Sequence, residues 1–396
     1  MTCWKSVRAV DFIEFNPHLN LKKGTIATKV AMDKLKPFTK KIPETEKAEF
    51  NGGAKFCNGD TLMARITPCL ENGKTAFIDF LDDGEVAFGS TEFIVMRAKA
   101  GISDPQFVYY TAINPTFRNA AIKSMVGSSG RQRVQQSVLE ELELSVPDLD
   151  EQRRIGAFLA RLDEKIALNN RINDNLMQQA VTIFKSWFVE YSPFDGIEPK
   201  EWETVNLEKI TSLISRGIAP KYSDNSDQIV INQKCIRNHM IDLSQARTHT
   251  PKVINEKWLR FGDLLINSTG DGTLGRAAQV WFQPQNITVD SHVTVVRPAK
   301  ENLIFYIGLW GVLHEREIES LHTGSTGQTE LPKERVKALE LHLPDNGTLD
   351  RFNTLIAPMA AAIVSKQNEN NKLATLRDAL LPKLMSGEID VSAVQL

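Results

Sequence analysis

Residues 59–63 read Gly-Asp-Thr-Leu-Met and residues 262–266 read Gly-Asp-Leu-Leu-Ile, so one short motif occurs twice, 203 positions apart. Self-similarity over such a distance is the signature of a duplicated structural unit. The offset between matched segments drifts by a few residues, which indicates loop insertions in one copy. Further matches, at offsets of 197 to 200, are Trp4 with Trp202, 92–97 with 292–297, 127–130 with 324–327, and 146–147 with 343–344.

Each copy ends in a segment with the pattern of a long helix. From about Glu151 to Phe188, and again from about Leu349 to Leu384, apolar residues recur at every third or fourth position. Asp148 can cap free backbone amides at the start of the first segment, and Glu151 can reach back to complete the cap. One apolar stripe of this length needs a long partner, so we expect the two helices to pack antiparallel. At 1.5 Å per residue, each would span roughly 50 to 57 Å and could hold two domains a fixed distance apart.

The segments before each long helix mix strand and helix patterns. Short apolar runs bounded by Gly, Asp and Pro, such as 91–96 and 293–296, predict strands, whereas 104–123 and 302–321 predict helices. The predicted fold class is therefore α+β, with two mixed α/β domains in tandem repeat, separated by two long antiparallel helices that form a coiled-coil spacer with pseudo-twofold symmetry. The predicted boundaries are 1–146 for the first mixed domain, 147–191 for the first helical spacer, 192–344 for the second mixed domain and 345–396 for the second helical spacer.

The composition indicates a globular protein of several domains, with 396 residues, 42% of them hydrophobic and 24% charged. No run approaches the ~20 apolar residues of a membrane span. The four cysteines are scattered without metal-ligand spacing, and we expect reduced thiols in the cytoplasm. The net charge is only −2, yet seven lysines lie between Lys22 and Lys41 beside the single acid Asp33. Such runs are usually solvated surfaces, so charge alone decides little.

The chain lacks the motifs of the enzymes that act on DNA or nucleotides. The Gly-x-x-x-x-Gly-Lys-Ser/Thr string of an ATP-binding loop is absent. An adenine methylase needs an Asn-Pro-Pro-aromatic motif, and the nearest strings, at 114–117 and 16–18, do not fit. A magnesium nuclease needs clustered carboxylates and a lysine, which 163–165 offers only on consecutive helical positions. No histidine or acid is tied by pattern to the serines of 127–130. We therefore predict a chain without catalytic residues.

Three motifs carry a resemblance to a known family. They are Gly-Asp-x-Leu-Met-Ala-Arg at 59–65, Pro-x-x-x-Glu-Gln at 147–152, and Leu-Pro-Lys-Leu-Met-Ser-Gly-Glu-Ile at 381–389. With the duplicated domain and its long helices, the chain resembles the specificity subunits of type I restriction-modification systems over essentially its whole length. It departs from the pattern at 345–350, where Asp-Asn-Gly-Thr-Leu-Asp replaces the Glu-Gln pair. This departure puts in doubt whether both helix ends dock a partner equally.

The resemblance implies a division of tasks between subunits. Each mixed domain would be a target recognition domain that reads one half of a bipartite duplex DNA site, and the helices would set the gap. Two modification subunits would bring AdoMet and the adenine methylase, and two restriction subunits would bring ATP- and Mg²⁺-dependent translocation and cleavage. This chain would hold no cofactor and no metal itself. The helix cations that would face the modification subunits are Arg153, Arg154, Arg161 and Lys165.

Phosphate contacts position a protein on DNA, and the first domain offers basic side chains for them. The 127–133 loop, Gly-Ser-Ser-Gly-Arg-Gln-Arg, combines a flexible backbone, hydroxyls and two guanidiniums. Its counterpart at 324–330 lacks both arginines, and a purely structural turn is the alternative for either loop. The candidates are Lys22, Lys23, Lys29, Lys34, Arg65, Lys74, Ser128, Ser129, Arg131 and Arg133 in the first copy, and Ser325, Thr326 and Gln328 in the second.

Base reading calls for polar segments that differ between the copies, because two different half-sites need different contacts. The segments 216–222 and 232–238 have this character. Gln can pair with adenine, and Arg or Lys with guanine, each good pair contributing roughly 1 to 3 kcal/mol of discrimination. The candidates are Arg216, Lys221, Tyr222, Gln233, Lys234, Arg237 and Asn238.

Two other classes of function stay open at this point. A scaffold, whose paired helices assemble partners while its mixed domains bind peptide or RNA, would show only weak, salt-sensitive DNA binding. A fused methylase-nuclease fragment would transfer methyl groups from AdoMet by itself.

Overall fold

The structure is a computed structural model that describes residues 4–128, 130–250, 254–324 and 329–391. The chain divides into two compact units. Unit 1 comprises Met1–Asn169 and Glu369–Leu396, and unit 2 comprises Asn170–Asn368. This division follows packing and runs through both long helices, so the boundaries proposed from the sequence remain predictions.

Unit 1 contains two four-stranded sheets. The first has the antiparallel order β2-β9-β6-β7, and the second has the order β4-β3-β8-β5, in which β3 and β8 run parallel. A two-stranded sheet of β1 and β10 closes the domain beside its long helix. The strands are β1 (Lys5–Arg8), β2 (Ile13–Phe15), β3 (Ile26–Val30), β4 (Glu46–Glu49), β5 (Ala54–Phe56), β6 (Thr61–Ala64), β7 (Thr75–Phe77), β8 (Ala87–Gly89), β9 (Phe93–Ala98) and β10 (Glu143–Val146). The helices are α1 (Ala9–Phe12), α2 (Pro105–Ile113), α3 (Pro115–Lys123), α4 (Gln136–Glu140) and α5 (Leu149–Phe188), the last of which continues into unit 2.

Unit 2 repeats this topology. Its first sheet has the order β12-β20-β17-β18, and its second has the order β16-β13-β19 with β13 and β19 parallel. The strands are β11 (Glu203–Asn206), β12 (Thr211–Arg216), β13 (Ile229–Ile231), β14 (Ile236–Arg237), β15 (Met240–Ile241), β16 (Arg247–Thr248), β17 (Leu264–Asn267), β18 (Ala277–Gln279), β19 (Ile287–Val289), β20 (Val293–Pro298) and β21 (Glu340–Leu343). The helices are α6 (Ile304–Leu313), α7 (Glu315–Ser320), α8 (Lys333–Lys337) and α9 (Asn346–Ser386), the last of which returns to unit 1.

The central sheet of each unit is buried on both faces. In unit 1, Met63 and Ile94 belong to the core formed with the helices, whereas Leu62 and Val95 belong to the core formed with the second sheet. Alternate side chains of a strand point to opposite faces, so a strand covered on both sides must be apolar at consecutive positions. This requirement explains the continuous apolar run within the repeated Gly-Asp motif.

The Gly-Asp pair itself forms the turn that leads into the central strand. Gly59 and Gly262 have the same left-handed φ of +89°, a conformation that favours glycine. The carboxylate of Asp60 accepts two hydrogen bonds from the guanidinium of Arg97 on β9, each 2.7 Å long. Asp60 is fully buried, so its charge requires this partner. The repeated motif therefore has a structural role, since its aspartate ties the turn to the neighbouring strand through a buried ion pair.

The two long helices pack together within each unit. In unit 1, Arg377 of α9 donates to Asp163 of α5 at 2.6 Å, and Asn169 donates to Asn370 at 2.9 Å. The partner number falls as the α5 number rises, so the segments run antiparallel. In unit 2, Phe352 of α9 packs edge-on against Phe188 of α5 at 4.8 Å between ring centroids. The predicted α+β fold, with tandem mixed domains and two long antiparallel helices, is confirmed.

The start of α5 agrees with its predicted cap. The amide of Glu151 donates to the Asp148 side chain at 2.9 Å, and the equivalent amide of Thr348 donates to Asp345 at 3.0 Å at the start of α9. Glu151 does not complete a capping box, because its carboxylate pairs with Arg154 one turn later.

Candidate nucleic-acid interface

The four predicted lysines of the first copy divide into two pairs. Lys22 and Lys23 are exposed, and neither forms an ion pair within the described ranges. Lys29 pairs with Glu46 across two strands at 2.7 Å, and Lys34 pairs with Glu44 at 2.6 Å. The hydrogen bond from Lys34 lowers the pKa of the Glu44 carboxyl. A phosphate would have to compete with a carboxylate at Lys29 and Lys34, whereas Lys22 and Lys23 are free to bind one.

The loop that contains the Gly-Ser-Ser-Gly motif of unit 1 is closed by its own backbone. Val126 and Arg133 exchange two backbone hydrogen bonds, of 3.0 and 2.9 Å. The Arg133 guanidinium forms an ion pair with Glu92 at 2.6 Å. Arg131 and Ser128 are exposed at the tip of the loop, and Ser129 lies outside the described residues. The loop therefore presents Arg131 to solvent and fixes Arg133 at its base.

The counterpart loop of unit 2 has the same closure. Thr323 and Glu330 exchange backbone hydrogen bonds of 2.8 and 2.9 Å, so Glu330 occupies the position of Arg133. Three predicted contact residues of this loop, Ser325, Thr326 and Gln328, lie outside the described residues. The side chain of Arg216, at the end of β12, reaches this loop and forms an ion pair with Glu330.

Two further candidates of the first copy have different surroundings. Lys74 turns inward and donates to the carbonyl of Met32 at 2.9 Å. Arg65 is partly buried at the end of β6, where its Nη2 donates to the carbonyl of Val134 at 3.4 Å. Its buried Nε has no hydrogen-bond partner. Arg65 therefore has an N–H group still able to donate to a ligand, whereas Lys74 already donates one hydrogen bond within the fold.

Arg65 lies beside an open cavity of about 410 Å³. The cavity is formed where the segment after β2 passes Gly53 and the first residues of β5. Its polar lining comes from Asn16, His18, Lys55, Arg65 and Thr91. The sequence pattern did not single out Asn16, His18 or Lys55 as contact residues, because the segments 16–19 and 53–55 meet only in the folded chain. A lone histidine in a loop, or a lone lysine in a short strand, carries no signal of such a neighbour.

Among the candidates of the second copy, Gln233 forms hydrogen bonds within the fold through both ends of its side-chain amide. Its amide nitrogen donates to Thr269 at 2.9 Å, and its amide oxygen accepts from Thr273 at 3.2 Å. Thr269 in turn contacts His292 at 2.8 Å. These bonds hold the loop after β17, so a base contact by Gln233 would have to replace them.

The remaining candidates of the second copy are exposed. Arg237 and Asn238 lie at the tip of the β14–β15 hairpin, where Asn238 and His239 both adopt positive φ, of 50° and 61°, as a tight two-residue turn requires. Tyr222 lies under the guanidinium of Arg247, 3.5 Å from the ring centroid. Lys221 and Lys234 are exposed as well. Which of these residues contact DNA remains a prediction.

The Glu-Gln pair at the start of α5 is buried, with Gln152 only 2% exposed. Gln152 accepts from the amide of Asp104 at 3.0 Å and donates to the carbonyls of Pro147 and Ile102 at 2.9 and 3.1 Å. At the equivalent position of α9, Leu349 is buried in the apolar core. The departure between the copies is therefore a change of internal packing, and partner docking at either helix end stays a prediction.

The described part of the chain contains no group of three His, Cys, Asp or Glu side chains that could hold a metal ion. None of its helices is both long and apolar enough to cross a membrane.

Comparison with known proteins decides the family. A model of the type I restriction modification DNA specificity domain matches residues 44–178 and again residues 199–357. The chain belongs to this family. The predicted resemblance to type I specificity subunits is confirmed, and each of the two matched domains lies largely in one copy of the repeated topology. The family supplies the specificity subunit, which is not the catalytic subunit of these systems.

Individual members of the specificity-subunit family match most of the chain. The type I restriction enzyme MjaIX specificity subunit of Methanocaldococcus jannaschii is 26% identical over 310 residues, which are 72% of this chain and 69% of the relative. The HindI specificity subunit of Haemophilus influenzae is 22% identical over 403 residues, covering 84% of this chain and 86% of the relative. The crystal structure of a type I restriction-modification S subunit from M. genitalium has a TM-score of 0.58 at 13% identity, covering 97% of this chain and 96% of that chain. The last likeness shows a shared fold.

Proposed function

We propose that this chain recognises a bipartite duplex DNA target, one half-site through each unit, and directs adenine methylation and restriction by partner subunits. The observation that carries the proposal is the duplicated topology, because a specificity domain matches in each copy. Two copies of one domain on a single chain suit a site made of two separated halves.

The surface chemistry of both units supports a DNA ligand. Exposed cations with no ion-pair partner among the described residues include Lys22 and Arg131 in unit 1 and Lys234 and Arg237 in unit 2. Cations of this kind supply the salt-dependent affinity for phosphates. The net charge of −2 is no objection, since local charge decides the contact and not the total.

The differences between the copies support two different half-sites. Arg133 in unit 1 corresponds to Glu330 in unit 2, and the β14–β15 hairpin has no equivalent among the strands that the structure describes in unit 1. A two-stranded ribbon is one of the elements that fit the major groove. Arg237 and Asn238, at the hairpin tip, are therefore our first candidates for base contacts in unit 2.

Partner subunits supply the chemistry in this proposal. Two modification subunits hold AdoMet, two restriction subunits use ATP and Mg²⁺, and the complex acts in the cytoplasm. Arg153 and Arg154 at the start of α5 fit a protein interface, because both side chains are 60% exposed and each pairs with an acid one turn away on the same helix. The gap between half-sites would follow from the length of the two helices.

The proposal is tested by sequencing modified bases in genomic DNA. Cells that express this chain with a partner methylase subunit are compared with cells that lack only this chain. We expect methyladenine in a two-part motif with a fixed gap, and its loss when the chain is deleted. Unchanged methylation, with an active methylase present, would favour the scaffold function instead.

A further inference from the structure

In both units the backbone carbonyl at one equivalent position accepts a hydrogen bond from an arginine side chain, but the two arginines lie at different places in the sheet. The amide of Val134 donates to the carbonyl of Arg65, and the amide of Leu331 donates to the carbonyl of Ser268, each at 2.8 Å. These bonds make Val134 equivalent to Leu331, and Arg65 equivalent to Ser268. The carbonyl of Val134 accepts from Arg65 at 3.4 Å, whereas that of Leu331 accepts from Arg216 at 2.8 Å. A guanidinium thus lies beside the same loop in each unit.

The two guanidiniums differ in how their charge is balanced. Arg216 forms an ion pair with Glu330 of the loop. Within the described parts of the chain, Arg65 forms no ion pair, and its buried Nε has no hydrogen-bond partner. Glu92, in the turn before β9, is the nearby acid, since its backbone carbonyl accepts from the amide of Arg65 at 2.9 Å, but its carboxylate is held by Arg133 at 2.6 Å. A partly buried cation with an unsatisfied donor is costly unless a ligand supplies the missing acceptor.

The cavity beside Arg65 provides space and further donors for such a ligand. It measures about 410 Å³, and no carboxylate is among its lining side chains. Lys55 donates one bond to the carbonyl of Leu19 at 2.7 Å, which leaves two of its three N–H groups. Thr91 and His18 are exposed at the rim. Arginine and lysine offer only donors, and a phosphate oxygen offers only acceptors, so the two sets are complementary.

We infer that this cavity binds a phosphate of the DNA backbone through Arg65, and that in unit 2 the carboxylate of Glu330 occupies the equivalent place. The inference rests on the proposed function, because it assigns a DNA contact. It also makes the two units unequal. In unit 1 Arg65 binds a DNA phosphate, whereas in unit 2 Arg216 is already paired with the carboxylate of Glu330. Releasing Arg216 from Glu330 should therefore give unit 2 the same type of site.

The test measures the affinity of the full chain for fluorescein-labelled duplexes between 50 and 250 mM NaCl. One duplex carries the target found by methylation sequencing, and the other has a scrambled sequence. For Arg65→Gln we expect affinity to fall about tenfold on both duplexes at low salt, with the slope of log K against log salt smaller by about one. Arg65→Lys keeps the charge and should lose less. Glu330→Gln should bind both duplexes more tightly than the wild-type chain.

Each contrary result has a separate meaning. If the wild-type chain binds neither duplex, the proposed function itself fails. If it binds while Arg65→Gln binds equally well, the phosphate site is wrong. A loss confined to the target duplex would make Arg65 a base-reading residue and would also overturn the inference. Thermal unfolding of each variant identifies any that are misfolded. If the Arg65 variants are misfolded, the DNA affinity of Glu330→Gln tests the inference independently, since an affinity equal to that of the wild-type chain contradicts the equivalence of the two sites.

Discussion

Asp263 and Arg297 form a buried, two-pronged ion pair that reproduces the pair between Asp60 and Arg97. In both copies the two N–O distances are 2.7 Å, and the aspartate is completely buried. The pair joins the turn before the central strand to the strand beside it. Its repetition at equivalent places is direct structural evidence for the duplication that the Gly-Asp motif suggested.

Asp263→Asn should destabilise unit 2 by about 3 to 5 kcal/mol, because it leaves the buried guanidinium of Arg297 without its counter-charge. Asp60→Asn should cost less, since the Arg97 side chain is 24% exposed and water can solvate it. Urea unfolding followed by tryptophan fluorescence suits the first variant, because five of the six tryptophans lie in unit 2. Circular dichroism measures both variants. The exposed Asp83→Asn is the control, and a similar loss there would contradict the explanation.

Gln152→Leu should destabilise unit 1 by about 2 to 4 kcal/mol, although Leu349 is the natural residue at the equivalent position of α9. The leucine would leave the amide of Asp104 and the carbonyls of Ile102 and Pro147 without partners. Urea unfolding measures the loss. Gln178→Leu, at an exposed site on the same helix, is the matched control and should change stability little. Equal stability of the Gln152 variant would show that water or a shift of α2 replaces these bonds.

Lys40 is a buried lysine that connects the loop after β3 to the long helices. It is 6% exposed, its Nζ lies 5.0 to 5.3 Å from the centroids of three aromatic rings, and it donates to Tyr110 at 3.3 Å. Tyr110 donates to Asp163 at 2.6 Å, and Asp163 pairs with Arg377. Burial lowers the pKa of Lys40 to about 8, although Asp163, Asp79 and Glu164 oppose this shift.

The lowered pKa has a defined consequence for stability. Below pH 8, Lys40 is protonated in both the folded and the unfolded chain, and burying the charge costs the fold about 3 kcal/mol. As pH rises from 8 towards 10.5, the folded chain releases the proton first and the cost is removed. The unfolding free energy of the wild type minus that of Lys40→Met should therefore rise by about 2 kcal/mol between pH 7 and pH 9.5. Taking this difference cancels other groups, such as the buried thiol of Cys235, that titrate in both chains.

Urea titrations at the two pH values measure this difference. The exposed Lys36→Met variant is the control, and its difference from wild type should not change with pH. A difference for Lys40→Met that is equally flat would mean that the ammonium is as well solvated as in the unfolded chain.

Much of the fold could be predicted because the sequence pattern of the domain occurs twice in the chain. The Gly-Asp motif, the apolar strand that follows and the long helical periodicity each recur, and duplication removes the ambiguity that a single short apolar run would have. The pairing of Asp163 with Arg377 could not be predicted, since it joins residues 214 positions apart and neither belongs to a repeated motif. The helical periodicity predicts which apolar residues face the partner helix, but it does not predict which polar residues of the two helices pair with each other.

The candidate site was harder to predict from sequence. Charge and polarity selected Arg65 and Arg216 as candidates for DNA contact, and both stay predictions. They did not select Glu330, whose carboxylate pairs with Arg216. They also selected Lys74 and Gln233, whose side chains the structure engages internally. Exposure and internal hydrogen bonding depend on tertiary packing, so a list of polar residues overestimates the surface available to DNA. The cavity beside Arg65 is formed by segments that are distant in the sequence and come from two different sheets.

The central claim is that each unit reads its own half of the target. Its most direct test is to replace residues 1–146 by the corresponding segment of a relative with a different known target, and to sequence methyladenine in cells that also express the methylase. The account predicts that one half-site changes to that of the relative, while the other half and the gap are retained. A change in both halves, or in the gap alone, would contradict it.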